Sequence, residues 1–384
     1  MEHVQITKQL RLERAILIGA FAGWNDAASA ATWAVKFLVN HWDAQPFAEI
    51  DPEEFYDFTE ARPTVRISGG ALRRLSWPSN RFYVYRPKQS GKSDALDRLM
   101  GLASGNGHSR NGHSSPHKGD ETPKLLTPTD LPDTISARSD VTPITPITPQ
   151  TAEEKQAVLQ ESGPRDVILL LGEEPHLRWR TFANEIVALC KELHVEEVVL
   201  LGSLVAEVPH TAPVQISGVT SRSHLLSRLQ EANVERANYS GPTGMLTALQ
   251  DAARKEGIAT TSLWGSAPHY VSATPNLPVS EALLRKLNSL YSLDLRLGEL
   301  THAAQRFTRR VSTLVAEDPD VSAYVRELEQ RTSSSGGRSP FNEGSFSDAS
   351  GIHRIPMDGE LPSPEEAVQD VEDWLRRFRA NGAD

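Results

Sequence analysis

Polar residues with catalytic potential follow several apolar segments that the sequence predicts as buried strands. Asn25 and Asp26 come after the apolar run at 15–20, and Glu173 comes after a second run at 167–171. Because ligands of α/β proteins usually bind beyond the carboxyl ends of parallel strands, we expect these side chains on one rim. The predicted pocket comprises ten residues, namely Trp24, Asn25, Asp26, Glu173, His210, Thr211, Gly241, Thr243, Gly244 and His269.

The acidic residues of this rim have a chemical and a structural interpretation. Glu173, Glu174 and His176 are residue types that serve in acid–base catalysis. Carboxylates and Asn are also typical of helix beginnings, where they accept hydrogen bonds from free amides and meet the positive end of the helix dipole. The segment 240–244 similarly predicts either an anion site at a helix N-terminus or a turn stiffened by proline. The sequence leaves these alternatives open.

Metal and nucleotide chemistry have little support in the motifs. His176, His210 and His269 each follow a proline, but no pair of them has the short helical spacing of a metal motif. Neither GxGxxG nor a P-loop motif occurs, and no GxSxG segment marks a hydrolase serine. We therefore predict no metal site and no cofactor, and we expect Cys190 to be a buried, inert thiol within a helix.

The elements that position these residues alternate between strands and helices. This alternation indicates an α/β sandwich with a mostly parallel sheet over residues 1–278. Beyond this region the apolar spacing is helical throughout, which predicts a small helical appendage at 279–330. The predicted strands lie at 15–20, 82–85, 167–171, 198–201, 214–219 and 259–264, and the predicted helices lie at 27–39, 177–193 and 245–255.

Two segments break this pattern. Residues 88–162 contain no aromatic side chain and carry repeated Thr-Pro pairs, so they cannot bury enough apolar area to offset their ordering entropy. We predict that they form a disordered insertion within the core domain. The Ser/Gly-rich start of residues 331–362 predicts a flexible linker.

The last segment, 363–380, predicts an amphipathic helix. Ser363 can cap this helix, and Pro364 suits its first position. An apolar stripe along one face would be unfavourable in water, so we expect the helix to dock on its own core, on a neighbouring subunit or on a client. The stripe consists of Val368, Val371, Trp374, Leu375 and Phe378, of which Trp374, Leu375 and Phe378 are the predicted partner-binding residues.

Composition limits the classes of partner. The 384 residues carry a formal net charge of −10, which argues against a general nucleic-acid binder, because such proteins need a basic surface. No run of about 18 apolar residues occurs, so no membrane-spanning helix is expected. The polar N-terminal residues do not resemble a signal peptide, and a cytoplasmic location is the default expectation.

Several short motifs occur in a specific order: Gly23-Trp24-Asn25-Asp26, Phe55-Tyr56-Asp57-Phe58, Trp77-Pro78, Gly172-Glu173-Glu174-Pro175, Val208-Pro209-His210-Thr211, Gly241-Pro242-Thr243-Gly244 and Pro268-His269-Tyr270. Together they resemble the actinobacterial branch of the proteasome assembly chaperone 2 (PAC2) family over most of residues 12–330. The resemblance implies a phosphorylase/nucleosidase-like three-layer α/β core with a small C-terminal helical part. It also implies self-association, with a trimer as one option, and a protein client.

Relatives in eukaryotes and archaea help to assemble or cap proteasome rings. The sequence at 381–384 lacks the hydrophobic–Tyr–X ending by which such chaperones dock on those rings, so docking of this kind does not follow from the resemblance.

Two functional hypotheses follow from these observations. The leading one is a non-enzymatic assembly or scaffold protein, since no catalytic motif is complete. The second is a small-molecule enzyme with a phosphorylase-like or hydrolase-like pocket at the rim. They differ in a geometric expectation, because an enzyme should gather Asp26, Glu173, His210, Thr243 and His269 around one concave pocket.

Overall fold

The computed structural model describes residues 1–68, 71–87, 165–271 and 273–334. The predicted insertion at 88–162 and the predicted helix at 363–380, with Trp374, Leu375 and Phe378, lie outside the described residues. So does the predicted linker from residue 335 onward. Its first four residues are helical, because the preceding helix continues to Ser334.

The described residues form one nine-stranded sheet and a separate two-stranded hairpin. The order in the large sheet is β1-β3-β6-β7-β2-β8-β11-β9-β10, and the hairpin pairs β4 with β5. The strands are β1 (Val4–Ile6), β2 (Ile16–Ala22), β3 (Gln45–Ile50), β4 (Thr64–Ser68), β5 (Ala71–Ser76), β6 (Asn80–Tyr85), β7 (Val167–Glu173), β8 (Glu197–Ala206), β9 (Ile216–Thr220), β10 (Glu235–Arg236) and β11 (Ala259–Pro268).

Helices cover both faces of this sheet. A short 3₁₀ turn at Ala27–Ser29 precedes the first of them. The α-helices are α1 (Ala30–His41), α2 (Trp179–Glu192), α3 (Ser223–Glu231), α4 (Met245–Lys255), α5 (Leu277–Tyr291), α6 (Gly298–Ala316) and α7 (Pro319–Ser334). None of the helices in the described ranges is both long enough and apolar enough to cross a membrane.

Alternation along the strands divides the core into two apolar clusters. On β2, Ile16 and Ile18 face the cluster that includes α1 and α5, whereas Leu17 and Phe21 face the cluster that includes α2 and α4. Successive side chains of a strand point to opposite faces, so a strand buried on both sides must be apolar at nearly every position. The run at β2 meets this requirement, and the three-layer α/β fold expected from the sequence is confirmed.

The four central strands, β7, β2, β8 and β11, are parallel. The flanking strands differ from a uniformly parallel sheet, because β6 runs antiparallel to β7 and β9 runs antiparallel to β11. Only nine residues separate β8 from β9, fewer than the dozen or so of a helical crossover, and the chain direction reverses there.

The predicted helical appendage at 279–330 is only partly separate from the core. Leu283, Leu284 and Leu287 of α5 are fully buried in the same cluster as α1, so α5 belongs to the helix layer that covers the sheet. Helix α6 extends this cluster through Phe307 and Val311, and α7 then packs on α6. The sequence did not indicate this packing of α5, because helical spacing alone does not show what a helix packs against.

Close packing beside the central strands requires Gly172 on β7. A Cβ atom at this position would overlap the side chain of Asn80, which is fully buried on the neighbouring strand β6. Asn80 donates a hydrogen bond to the Tyr56 hydroxyl, and this hydroxyl donates to the carbonyl oxygen of Glu173 at 2.5 Å. The glycine therefore leaves room for a buried polar chain that fixes the end of β7.

We expect Gly172→Ala to lower the free energy of unfolding by about 2 kcal/mol, the range for overpacking a tight interior. Urea unfolding followed by circular dichroism measures this difference. Gly298→Ala is the matched control, since a Cβ atom there meets no atom within 4 Å and adds helix propensity at the start of α6. Equal stability of the two variants would contradict the proposed steric role of Gly172.

Candidate functional site

Three segments that are distant in sequence meet at the carboxylate of Glu174. Oε1 accepts hydrogen bonds from the Asn25 side-chain amide at 2.8 Å and from the Met245 backbone N–H at 2.6 Å. Oε2 accepts one from the Trp24 backbone N–H at 3.2 Å. The loop after β2, the loop after β7 and the N-terminus of α4 are thereby tied together, and we call this arrangement the Glu174 junction.

A carboxylate suits this position because the first amides of a helix lack partners within the helix and carry partial positive charge. Two glycines make room for it. Gly23 has a φ of 137°, and a Cβ atom there would lie 2.9 Å from Glu174 Cβ. A Cβ atom on Gly244 would lie 2.6 Å from Glu174 Oε1 and would overlap the Asn25 side chain. Both glycines therefore serve the junction.

Asp26 lies next to the junction but is turned inward. Its carboxylate accepts hydrogen bonds from the Ala31 amide at 2.7 Å, from the Thr32 amide at 3.3 Å and from the Thr32 hydroxyl. The Ser203 hydroxyl of β8 donates to the same group at 3.3 Å. The Asp26 carboxylate therefore caps the N-terminus of α1 by accepting hydrogen bonds from its first amides.

The backbone between Asp26 and α1 is unusual. Ala28 and Ser29 have φ values of 49° and 51°, in the left-handed region that non-glycine residues seldom adopt. This turn delays the start of α1 to Ala30, whereas the sequence predicted a helix from residue 27. It brings the amides of Ala31 and Thr32 to the Asp26 carboxylate. Burial raises the pKa of that carboxyl to about 6, although the hydrogen bonds oppose the shift.

Glu173 and His176 serve to anchor the β7 loop. The carbonyl oxygen of Glu173 accepts the Tyr56 hydroxyl, as described above. The backbone amides of His176 and Leu177 donate to the carbonyl oxygen of Phe55, and His176 Nδ1 accepts the Asp57 amide at 3.1 Å. The segment around Phe55–Asp57 therefore holds the β7 loop in place.

The other two histidines that follow a proline, His210 and His269, form a cluster that joins the sheet to α6 and α7. His210 Nδ1 lies 2.7 Å from the Tyr270 hydroxyl, and His210 Nε2 lies 3.0 Å from the Ser312 hydroxyl of α6. His269 Nε2 lies 3.3 Å from the Tyr324 hydroxyl of α7. Burial lowers the pKa of His210 and raises the pKa of Tyr270 to about 12. Both residues therefore stay neutral at pH 7.

Thr211 adds a further link, since its hydroxyl donates to Glu329 of α7 at 2.6 Å. We call these contacts the histidine–tyrosine cluster. Since each histidine has a partner on a docked helix, the cluster positions α6 and α7 on the ends of β8 and β11.

The ten predicted pocket residues are thus divided among different places. Trp24, Gly241 and Thr243 line a cavity of about 570 Å³, whereas His210 lines a separate space of about 30 Å³. Asn25 and Gly244 belong to the Glu174 junction, Asp26 caps α1, and Glu173 ends β7. Thr211 and His269 belong to the histidine–tyrosine cluster. The five side chains that an enzyme was expected to gather do not line one cavity within the described residues.

The large cavity lies between α4 and the sheet, beside β11 and β9. Its floor includes Thr260, Ser262 and Trp264 of β11, and one wall comprises the segment 239–243. The other wall consists of Thr247, Gln250, Asp251 and Arg254 of α4. The spacing i, i+3, i+4, i+7 of these four residues could have revealed a polar helix face in the sequence. The two floor hydroxyls, of Thr260 and Ser262, are buried on β11 and gave no such signal.

Two negative findings apply to the described parts of the chain. No three His, Cys, Asp or Glu side chains in these parts lie together as potential metal ligands. Cys190 is fully buried on α2, and burial raises the pKa of its thiol to about 12, as expected for an unreactive cysteine.

Comparisons with known proteins agree on one family. The sequence model of the PAC2 family matches residues 20–111 and 124–315. The structure of a PAC2 family protein from Streptomyces avermitilis is 33% identical with a TM-score of 0.57, and the match covers 81% of this chain and 99% of that chain. Rv2125, a proteasome-assembly chaperone homologue from Mycobacterium tuberculosis, is 30% identical with a TM-score of 0.56 and the same coverage.

A protein of unknown function from Corynebacterium glutamicum is 18% identical with a TM-score of 0.61 over 87% of this chain and 98% of that chain, and this likeness concerns the fold alone. The comparison with curated proteins returns no match.

We expect Glu174→Ala to lower the free energy of unfolding by about 3 kcal/mol, because three donors lose a charged acceptor. Glu174→Gln keeps one acceptor oxygen and should lose less. Glu256→Ala is the control, since it removes an exposed ion pair with Lys191 at 2.5 Å, a class of interaction that contributes at most about 1 kcal/mol. Urea unfolding compares the three variants, and a Glu174→Ala effect no larger than the control would contradict the junction's structural role.

Asp26 should make stability depend on pH in an unusual direction. Because its pKa is about 6 in the folded state and near 3.8 otherwise, the folded protein binds the proton more tightly. The stabilisation is present below pH 4 and is lost as pH rises through 6. Relative to Asp26→Asn, the wild type should lose about 2.4 kcal/mol between pH 4 and pH 7.

Thermal or urea unfolding at several pH values measures this difference. Asp57→Asn provides a control of opposite sign, because the hydrogen bond from the Thr59 side chain lowers the pKa of exposed Asp57. A parallel pH profile for the wild type and Asp26→Asn would show that burial does not raise the pKa of Asp26.

Proposed function

The chain belongs to the PAC2 family, and on this premise we propose that it is a non-enzymatic assembly or scaffold protein that acts through protein–protein contacts. Rv2125, a relative of similar fold at 30% identity, is a proteasome-assembly chaperone homologue, which supports a chaperone-like role. The proposed client is a subunit of a multi-subunit complex, and proteasome subunits are the first candidates. The proposal includes self-association and a cytoplasmic location.

The observation that carries this proposal is the use of the polar motif residues within the fold. Glu174 and Asp26 hold helix N-termini, and His210 and Tyr270 hold α6. Catalytic groups must reach a bound substrate, whereas these groups are satisfied by neighbouring segments. Their arrangement therefore favours a rigid body with well-fixed loops over a catalytic centre.

The β4–β5 hairpin is the surface that we propose for client contact. Val65, Ile67 and Leu75 are 54%, 64% and 50% exposed, and Trp77 just beyond the hairpin is 46% exposed. Val65 lies opposite Leu75 in the register, so their side chains share one face. An isolated two-stranded ribbon is marginally stable in water, which makes an uncovered apolar face here unfavourable without a partner.

Charge indicates the chemistry of this partner. Residues 62–76 contain four arginines and no acidic residue, although the whole chain has a net charge of −10. A client surface with an apolar strip bordered by Asp and Glu would match both properties. The contact between the Phe58 and Trp77 rings, with centroids 4.8 Å apart, fixes the base of the hairpin on the core.

A second candidate function is supported by one observation. The cavity beside α4 is within the 300–1,000 Å³ range of ligand sites, and it adjoins the Glu174 junction through Trp24 and Thr243. A small-molecule enzyme with a phosphorylase-like or hydrolase-like pocket remains the alternative on this basis. The enzyme hypothesis requires that the protein bind a small molecule and convert it to a product, whereas the assembly role requires neither.

The assembly role can be tested with the triple variant Val65→Ser, Ile67→Ser, Leu75→Ser. Purified proteasome core subunits from the same organism are mixed with the wild type or a variant, and ring formation is followed by native mass spectrometry. We expect the wild type to bind subunits and speed ring formation, and the triple variant to bind at least tenfold more weakly, because it lacks the apolar face.

Leu177→Ser is the matched control, since Leu177 is also 50% exposed but lies in the β7 loop. It should behave like the wild type. A wild type that neither binds subunits nor changes ring formation would contradict the assembly role for this client. Equal binding by the triple variant would contradict the hairpin as the docking surface.

A further inference from the structure

The cavity beside α4 has features that the assembly role does not use. It occupies about 570 Å³ on the face of β11 and β9 that α4 leaves uncovered. Thr260, Ser262 and Trp264 alternate with Thr261 and Leu263, which face the opposite layer. The cavity floor is therefore one face of the sheet, held rigidly by the pairing of β11 with β8 and β9.

Aromatic rings lie on three sides of the cavity. Trp24 comes from the loop after β2, Tyr239 from the segment before α4, and Trp264 from the floor. The backbone amide of Trp24 donates to Glu174, which holds its loop, and the Tyr239 hydroxyl donates to the Pro242 carbonyl oxygen at 2.9 Å, which holds its ring. Gly202 of β8 makes room for Trp264, since a Cβ atom there would lie 2.5 Å from its ring. The rings of Tyr239 and Trp264 can therefore stack on a ligand without prior rearrangement.

A buried hydroxyl on the floor lacks a partner. Ser262 is 1% exposed, and its Oγ has no hydrogen-bond partner among the described residues. Leaving a buried polar group unsatisfied costs free energy, and such exceptions in native structures often indicate a missing ligand or water. Thr243, Thr247 and Thr260 add further hydroxyls to the lining.

The charges of the lining balance each other. Asp251 pairs with Lys255 at 2.5 Å and lies 4.0 Å from Arg254. Of these, Asp251 and Arg254 belong to the lining, which gives it no net charge. A phosphate or carboxylate ligand would need an excess of cationic groups, so the cavity favours an uncharged ligand.

We propose that this cavity binds an uncharged sugar ring. The apolar C–H face of a pyranose packs on aromatic rings, whose faces carry partial negative charge. Its hydroxyl groups both donate and accept hydrogen bonds, as do the Ser and Thr hydroxyls of the lining. In this arrangement Ser262 Oγ exchanges a hydrogen bond with a sugar hydroxyl. The site is independent of the hairpin and goes beyond the proposed assembly function.

The test uses the full chain and three probes: methyl α-D-glucopyranoside, maltose and N-acetylglucosamine. Saturation-transfer NMR detects binding and calorimetry measures the dissociation constant. We expect at least one probe to bind and Ser262→Ala to weaken that binding about 5- to 30-fold, in line with loss of one buried hydrogen bond. Ser217→Ala is the matched control, because Ser217 Oγ is also buried without a partner but does not line the cavity. It should bind like the wild type.

Folding of the variants is checked by the midpoint of thermal unfolding. Removing an unsatisfied buried hydroxyl should leave this midpoint unchanged or higher in Ser262→Ala. Absence of binding by all three probes would overturn the proposal, as would equal affinity of Ser262→Ala and wild type. Adenine serves as a planar aromatic comparator without a sugar, and binding of adenine without any of the sugars would likewise overturn it.

Discussion

One carboxylate constrains the rim of this fold more than any other group. Glu174 accepts hydrogen bonds from residues 24 and 25 in the loop after β2 and from residue 245 at the start of α4, and these two segments are far apart in the sequence. Because the carboxylate must approach all three donors closely, a side chain at Gly23 or Gly244 would collide with Glu174. These two positions therefore require glycine for steric reasons. The loop after β2, which carries Trp24 to the edge of the large cavity, and the start of α4 are thereby held together.

The histidine–tyrosine cluster has a comparable role beside β8 and β11, at the same carboxyl edge of the parallel strands. Pairs of histidine and tyrosine there link two strand-end loops to α6 and α7. A buried imidazole kept neutral can exchange hydrogen bonds on both sides, and it therefore joins two elements without burying a charge. The polar motif residues of this protein thus join elements of the fold through hydrogen bonds. A structural role of this kind explains how such motifs can occur without forming a catalytic set.

Much of the fold could be predicted, because the central strands are buried on both faces and must be apolar at nearly every position. The beginnings of the predicted strands were therefore located to within two residues, and the helices α2 and α4 were located well, whereas β8 and β11 continue five and four residues beyond their predicted ends. The antiparallel direction of β9 could not be predicted from its own residues, since it depends on the short connection from β8. Hydrogen bonds between distant residues, such as Tyr56 to Glu173, left no local signal, and neither did the left-handed turn at Ala28 and Ser29.

The pairing of β6 with β7 has a consequence for how this family can vary. Tyr85 lies opposite Val167, so the chain leaves and re-enters the sheet on adjacent strands. Closing a loop costs free energy only as the logarithm of its length, so a long connection between two paired strands costs little more than a short one. Insertions and deletions at this point leave the register of the sheet unchanged. Length differences there between relatives can therefore accumulate in evolution with little effect on the shared fold.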